Sequence, residues 1–439
     1  MTITIAIIAG TYKPERCGVA HYTACLRDAL KKHECQSVVL TIHAAATEVN
    51  DSTVMGVVQD WRFADLMSLV QAVHATKADI LHMQHAAGTY AFERAIFLLP
   101  LLLRATGYRK PIVTTVHEYG WWEWQPKGIP PELVEWLKMW GQQRGWWDRE
   151  DGFLLTYSDA LITTNAEAEE VIYKRLPQLT NRVSRIPIAA NVDVTPIDRN
   201  TARQQLRQRC NFALDTSIIA FFGFLHPVKG IETLLPAFKK VLTTHPQARL
   251  LLLGGVESLA LRGEEAKRYW DKLHTLVAEL NLSEMVHLTG YLDVETASKY
   301  LSGCDIGVLP FNHGMTMKSG SLLALLAHGL PVIATQHPTP LPDGHPVQLV
   351  PPRDIDALAD ALCQLLNDPD KWNHLGDAGR TFVQNFTWCN IARSHFNIYQ
   401  KLLSCASLAT PFGFASSLRR ETRLQDWTHQ SPGSGNPPA

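Results

Sequence analysis

Residues 305–335 read DIGVLPFNHGMTMKSGSLLALLAHGLPVIAT, and this stretch decides the fold. Residues 305–310 form a short apolar run that reads as a buried strand. Residues 330–335 form another, entered through Gly329 and Pro331. Between them, the leucine- and alanine-rich residues 321–328 predict a helix. Strand–helix–strand units build parallel sheets, whose ligands sit beyond the carboxyl ends of the strands. Lys318, Ser319, Gly320, Ser321 and Leu322 fall at that place, where the helix begins. A helix start offers unpaired backbone N–H groups and a partial positive charge, which suit an anion such as a phosphate. A plain serine cap that binds nothing gives the same pattern.

The alternation extends in both directions. Upstream, strands are predicted at 218–224, 249–253 and 286–289, with helices at 230–243, 264–280 and 293–302. Downstream come a strand at 347–350 and helices at 355–367, 376–386 and 391–404. The first half repeats the rhythm, with strands at 2–9, 37–42, 80–84, 112–117, 160–163 and 183–188. Its helices fall at 20–32, 61–76, 92–104 and 166–175. Alternation of this kind predicts α/β domains with parallel sheets. Proline and polar residues over 190–200 suggest a linker. The expected division is a first domain over 1–190, a second over 201–385, and a C-terminal helix over 386–408 crossing back to the first domain. Residues 409–439, rich in Ser, Gly, Pro and charge, are expected to be mobile.

The totals narrow the function classes. A chain of 439 residues holds two ordinary domains, and 46% hydrophobic content supplies real cores. Forty-one basic residues balance 42 acidic ones, and no basic run exists, which argues against nucleic acid as a partner. The eight cysteines lack metal or redox spacing, and the 18 histidines contain no HExxH, so no metal site is expected. The apolar start has no basic residues ahead of it and reads as a strand rather than a signal peptide. No apolar run reaches the length of a spanning helix. Together these features point to the cytoplasm.

Residues 120–152 interrupt the rhythm and hold seven of the 12 tryptophans. Three readings stay open. Trp121, Trp122 and Trp124 can stack on a carbohydrate acceptor, the stretch can dock on lipid as a peripheral membrane contact, or it is a packed helical insertion. Asp148, Glu150 and Asp151, with Glu132 and Glu135, count against lipid, because anionic membranes attract basic faces.

Several segments in order resemble one family. They are CGVAHYTACL (17–26), TTVHEYG (114–120), ALITTNAEAEEVI (160–172), FFGFLHPVKGIETLLPAF (221–238), VHLTGYLDVETASKYLSGCDIGVLPF (286–311) and HGLPVIAT (328–335). In order and spacing they resemble the retaining glycosyltransferases of family 4, of the glycosyl transferases group 1. The resemblance runs from Ile3 to Ser404. It implies the GT-B fold of two facing Rossmann-like domains and a sugar transfer from a nucleotide diphosphate sugar, with no metal required and no other cofactor. It implies that Lys229 binds the diphosphate, helped by Gly223 from the second domain and Gly18 from the first. His117 is implied to lie beside the transferred sugar, with Glu118 next to it. Two carboxylates that the family commonly carries are replaced by Thr316 and Ala324, and a frequent arginine by Phe224. Lys318 and the Ser319–Ser321 helix start are expected to supply part of the missing anion binding. The lost carboxylates keep two alternatives open: a non-catalytic sugar- or nucleotide-binding protein, and a nucleotide-sugar epimerase on the same fold. The pattern specifies neither sugar, base, acceptor nor oligomeric state.

Overall fold

The structure, a computed structural model, describes residues 2–120 and 128–408. Trp121, Trp122, Trp124 and the 409–439 tail lie outside the described residues. The first domain runs β1 (Ile3–Ala9), α1 (Gly18–Leu30), β2 (Cys35–Ile42), α2 (His43–Glu48), β3 (Val54–Val58), α3 (Leu66–Thr76), β4 (Ile80–His85) and α4 (Leu99–Ala105). It continues with β5 (Ile112–Val116), α5 (Pro131–Gln143), β6 (Ala160–Thr163), α6 (Ala166–Arg175) and β7 (Val183–Arg185). The second domain runs α7 (Arg199–Arg209), β8 (Ile218–Phe222), α8 (Ile231–Val241), β9 (Arg249–Leu253), α9 (Gly263–Glu279), β10 (Val286–Gly290) and α10 (Val294–Gly303). It ends with β11 (Ile306–Leu309), α11 (Gly320–Ala327), β12 (Val332–Thr335), β13 (Val347–Val350), α12 (Ile355–Asn367), α13 (Pro369–Val383) and α14 (Trp388–Leu408).

Both sheets are parallel throughout. The first has the order β3-β2-β1-β4-β5-β6-β7, the second β10-β9-β8-β11-β12-β13. Strand order therefore reverses between β1 and β4 in one domain and between β8 and β11 in the other. Crevices for ligands open at such points, beyond the carboxyl ends of the strands. The strands are apolar runs because helices cover both faces of each sheet. Along β1, Ile5 and Ile7 enter the layer under α1 and α14, while Ala6 and Ile8 enter the layer under α3 and α4.

The last helix returns to the first domain. Ile391, Ala392 and Tyr399 of α14 lie in that domain's core, and Phe396 stacks on His33 at 5.5 Å. Trp388 donates its indole N–H to the Ala190 carbonyl at 3.2 Å, fastening the crossover to the interdomain linker.

Several boundaries differ from the sequence expectation. The structure adds β3, an edge strand too short to register in the pattern, and α2 and α7. Gly56 in β3 passes so close to His43 that a Cβ would lie 2.7 Å from its Cα. The helix expected over 92–104 is a single 3-10 turn followed by α4, because Pro100 fits only a first helical turn. The strand expected over 183–188 ends at Arg185, and α13 begins seven residues earlier than expected, with Asp368 capping Lys371 N at 2.9 Å.

The amino ends of β8 and β11 share one buried charge pair. Asp305 accepts from Arg207 at 2.6 Å and from the Ile218 N–H at 2.7 Å, while Arg207 also donates to the Thr216 and Gly303 carbonyls. The Arg207 side chain is 1% exposed. Removing one partner leaves a buried charge uncompensated, a loss of about 3–5 kcal/mol. Asp305→Ala is expected to lower the urea midpoint of unfolding by a corresponding amount without changing activity in the residual folded protein. A shift below about 1 kcal/mol would contradict this account.

Candidate functional site

In the second domain the carboxyl ends of β8, β9 and β11 meet as bare backbone. Gly254 has φ +146°, and a Cβ there would overlap the Gly223 carbonyl. Gly223, at φ +135°, lies so near α11 that its Cβ would come 2.8 Å from Ser321 Oγ. Gly230, at φ +72°, leaves no space before the Pro310 carbonyl. These contacts bring the turn holding Lys229 against the loop after β11, where Asn312 N donates to Val228 O at 3.0 Å and its amide to Pro227 O at 2.9 Å.

Lys229 is half-buried, with Nζ 3.7 Å above the Phe311 ring. No carboxylate of the described residues lies within ion-pair distance of it. Burial pushes its pKa down to about 8. His226 caps this turn by accepting from Val228 N at 3.3 Å.

The start of α11 is only partly available. Ser319 Oγ takes the Leu322 N–H at 3.2 Å, and Ser319 N donates to the Thr316 carbonyl at 3.2 Å. The Gly320 and Ser321 N–H groups have no acceptor among the described residues, so they are the free donors of this helix end. The Lys318 ammonium is paired with Glu167 of the first domain, so in this structure it reaches across the interdomain groove. Leu322 is buried and its N–H is spoken for by the cap. Ala324 is fully buried against the core, so that position offers nothing to a ligand.

The first-domain wall is built at the ends of β4 and β5. His117 follows β5, and its N–H donates to the His85 carbonyl at 2.9 Å. Its Nε2 lies 2.9 Å from Gln84 Oε1, and Tyr22 packs edge-on at 4.7 Å. Burial, with smaller contributions from His85 and His395, lowers the His117 pKa to about 3, so the ring is neutral. Glu118 beside it is exposed. Gly18 opens α1 in the open, with nothing within 4 Å of where a Cβ would stand.

The two walls face each other through a short chain of contacts. Asn165 donates to the His117 carbonyl at 3.3 Å and caps α6 by accepting from Ala168 N at 2.9 Å. Two residues on, Glu167 meets Lys318, with His337 at 3.8 Å. Gly320 packs its Cα side against Asn191 of the linker. On the other flank Arg262 pairs with Glu15 at 2.6 Å, and Arg16 lies 4.2 Å over the Tyr291 ring. A cavity of about 230 Å³ opens there between the two domains.

The tryptophan-rich insertion is part packed and part exposed. Trp147 fills the space over Gly141 of α5, and Trp140 contacts Trp136, Trp146 and Trp147. Helix α5 nonetheless turns Val134, Lys138 and Gly141 inward and leaves Leu133, Trp136 and Leu137 exposed as one apolar stripe. Asp148, Glu150 and Asp151 are not the surface charges that the sequence reading made them. All three are buried. Asp148 accepts from Tyr119 at 2.6 Å, Glu150 from Arg175 at 2.6 Å and from Gly120 N at 3.0 Å, and Asp151 lies 3.0 Å from His85. Burial first, then the neighbouring Asp151, raises the Glu150 pKa to about 7.

Sequence reasoning passed over His82, Gln84 and His85. Their signal was present: three polar side chains in ILHMQH, a strand in the middle of a sheet that is buried along its whole length. Buried polar groups in such a strand must find partners.

Residues 216–368 match the family described as glycosyl transferases group 1. A D-inositol 3-phosphate glycosyltransferase of Corynebacterium jeikeium is 27% identical over 247 residues, 55% of this chain and 57% of its own length. A GDP-mannose-dependent monoacylated alpha-(1-6)-phosphatidylinositol monomannoside mannosyltransferase of Corynebacterium glutamicum is 23% identical over 411 residues, 90% of this chain and 97% of its own. Anabaena HepE, solved in complex with UDP and glucose, has a TM-score of 0.65 over 91% of this chain and 100% of its own at 15% identity. The chain spans about half the length of most of the curated relatives it matches first. Two facing parallel sheets of this topology make a GT-B fold, as in the solved neighbours. Through residues 216–368 of its second domain the chain is similar to the glycosyl transferases group 1 family.

Lys229 also sets a pH dependence. Its cation is lost as pH rises through about 8, so affinity for a nucleoside diphosphate is expected to fall above that pH, by up to about tenfold per unit. Lys229→Arg, whose guanidinium stays charged, is expected to flatten the profile. Calorimetric titrations of a nucleoside diphosphate from about pH 7 to about pH 9.5 check this; a flat wild-type profile would refute it.

Proposed function

We propose that the chain is a retaining glycosyltransferase of family 4, moving one sugar from a nucleotide diphosphate sugar to a carbohydrate or lipid-linked acceptor. The observation that carries this reading is Lys229: a half-buried cation without a carboxylate partner, beside bare backbone at the β8–β11 switch point. When the sugar–phosphate bond breaks, negative charge grows on the diphosphate. Lys229 and the free N–H groups of Gly320 and Ser321 are fixed donors for that charge, and fixed donors need no reorganisation as it develops. In the retaining route proposed for this family, the leaving phosphate itself takes the acceptor proton, so no enzyme nucleophile is required. Neutral His117 lines the sugar from the opposite wall, with Glu118 toward the acceptor.

No metal is required in this scheme, because Lys229 and the helix start supply the positive charge. The described residues contain no cluster of three or more metal-ligating side chains and no helix long and apolar enough to cross a membrane. We place the protein in the cytoplasm. The outward stripe of Leu133, Trp136 and Leu137 supports peripheral contact with a membrane or stacking on the acceptor.

Lys229→Ala is expected to lower turnover by about 100- to 1,000-fold with an unchanged unfolding transition. The assay is mass spectrometry of transfer and donor hydrolysis across a panel of nucleotide sugars. Undiminished turnover in the variant defeats the assignment of Lys229. Binding without turnover across the panel would instead favour a non-catalytic binding protein.

A further inference from the structure

His117 is held by a buried chain of polar groups that reaches the C-terminal helix. His82, Gln84, Thr115 and Tyr399 are all 0% exposed. His117 Nε2 meets Gln84 Oε1 at 2.9 Å; the Gln84 amide nitrogen lies 3.3 Å from His82 Nε2; His82 Nδ1 lies 2.7 Å from the Tyr399 hydroxyl. Thr115 Oγ1 lies 2.8 Å from His82 Nε2. His395, on the same face of α14, has its own proton fixed, since Nδ1 sits 2.8 Å from the Ile391 carbonyl and must donate.

The chemistry of the chain orders its protons. With the Gln84 amide oxygen turned toward His117, that oxygen accepts and His117 carries its hydrogen on Nε2. The amide nitrogen only donates, so His82 Nε2 accepts from Gln84 and from the Thr115 hydroxyl. The His82 proton then sits on Nδ1 and is donated to Tyr399. At the other end, His117 Nδ1 has no partner among the described residues, and the residue as a whole keeps 9% exposure.

We propose that Gln84 is a positioning residue. It pins His117 as the neutral Nε2–H tautomer and leaves the Nδ1 lone pair at the groove to accept from a hydroxyl of the transferred sugar. The second half of this inference rests on the glycosyl-transfer reading; the tautomer itself does not.

The test has two independent arms. In long-range ¹H–¹⁵N spectra of the full chain with ¹⁵N-labelled histidine, assigned with His117→Ala, wild-type His117 is expected as the Nε2–H tautomer near neutral pH. Gln84→Leu is expected to release it into a tautomer mixture. Gln84→Glu places a carboxylate at the ring and is expected to raise its pKa by about one to three units. A wild-type His117 found protonated on Nδ1, or on both nitrogens, overturns the proposal even if the variants fail to fold. So does an unchanged tautomer in Gln84→Leu.

In the transfer assay, Gln84→Leu is expected to lower kcat/KM by about three- to tenfold, the range of one lost neutral hydrogen bond. Gln84→Glu is expected to add an acid limb, with activity rising with pH through the raised His117 pKa, where wild type is flat. An unaltered pH profile despite a shifted His117 pKa also overturns the proposal. If no sugar is transferred by wild type, the functional reading fails, and the spectra still decide the tautomer.

Discussion

The site depends on main chain meeting main chain where a side chain would not fit. At the carboxyl ends of β8, β9 and β11, Gly223, Gly254 and Gly230 each stand where a Cβ would press on Ser321 or overlap a neighbouring carbonyl. All three have positive φ, which L side chains rarely adopt. Their approach closes the core of the second domain up to its rim. It also sets the Lys229 turn and the α11 start side by side, with polar backbone rather than side chains as the floor. A floor of that kind suits a polyanion, since its donors are fixed before the ligand arrives.

The first domain builds its wall differently, from buried side-chain polarity. His82, Gln84 and His85 occupy one strand, and their partners come from β5, from the 148–151 turn and from α14. Low local dielectric strengthens such a network when every member is paired and makes it costly when one is not. Helix α14 is thus more than a strap. It follows the second domain in the chain, packs in the core of the first, and supplies Tyr399 to the chain of bonds that ends at His117.

Much of this was legible in the residues. The 2–9, 160–163 and 305–335 elements fall within a residue or two of their expected ends, because an apolar run bounded by Gly, Pro or a capping residue has few other options. His117 directly follows β5, and Lys229 lies in the turn between β8 and α8, places that the predicted strands already implied. The short edge strand β3 was not legible, since five residues around Gly56 carry too little pattern.

What the sequence determined by itself is local: the alternation of strands and helices, the caps, and the turns that place a lysine or a histidine at a strand end. Those follow from backbone sterics and the spacing of apolar residues, which act over a few positions. Only the tertiary structure decided which charges meet. Lys318 finds Glu167, 151 positions away in the other domain. Asp148, Glu150 and Asp151 turn inward to His85, Arg175 and Tyr119, while Leu133, Trp136 and Leu137 turn out. Pairings of this kind depend on where distant segments are packed, and a polar residue's type does not reveal whether its partner will be water or another side chain.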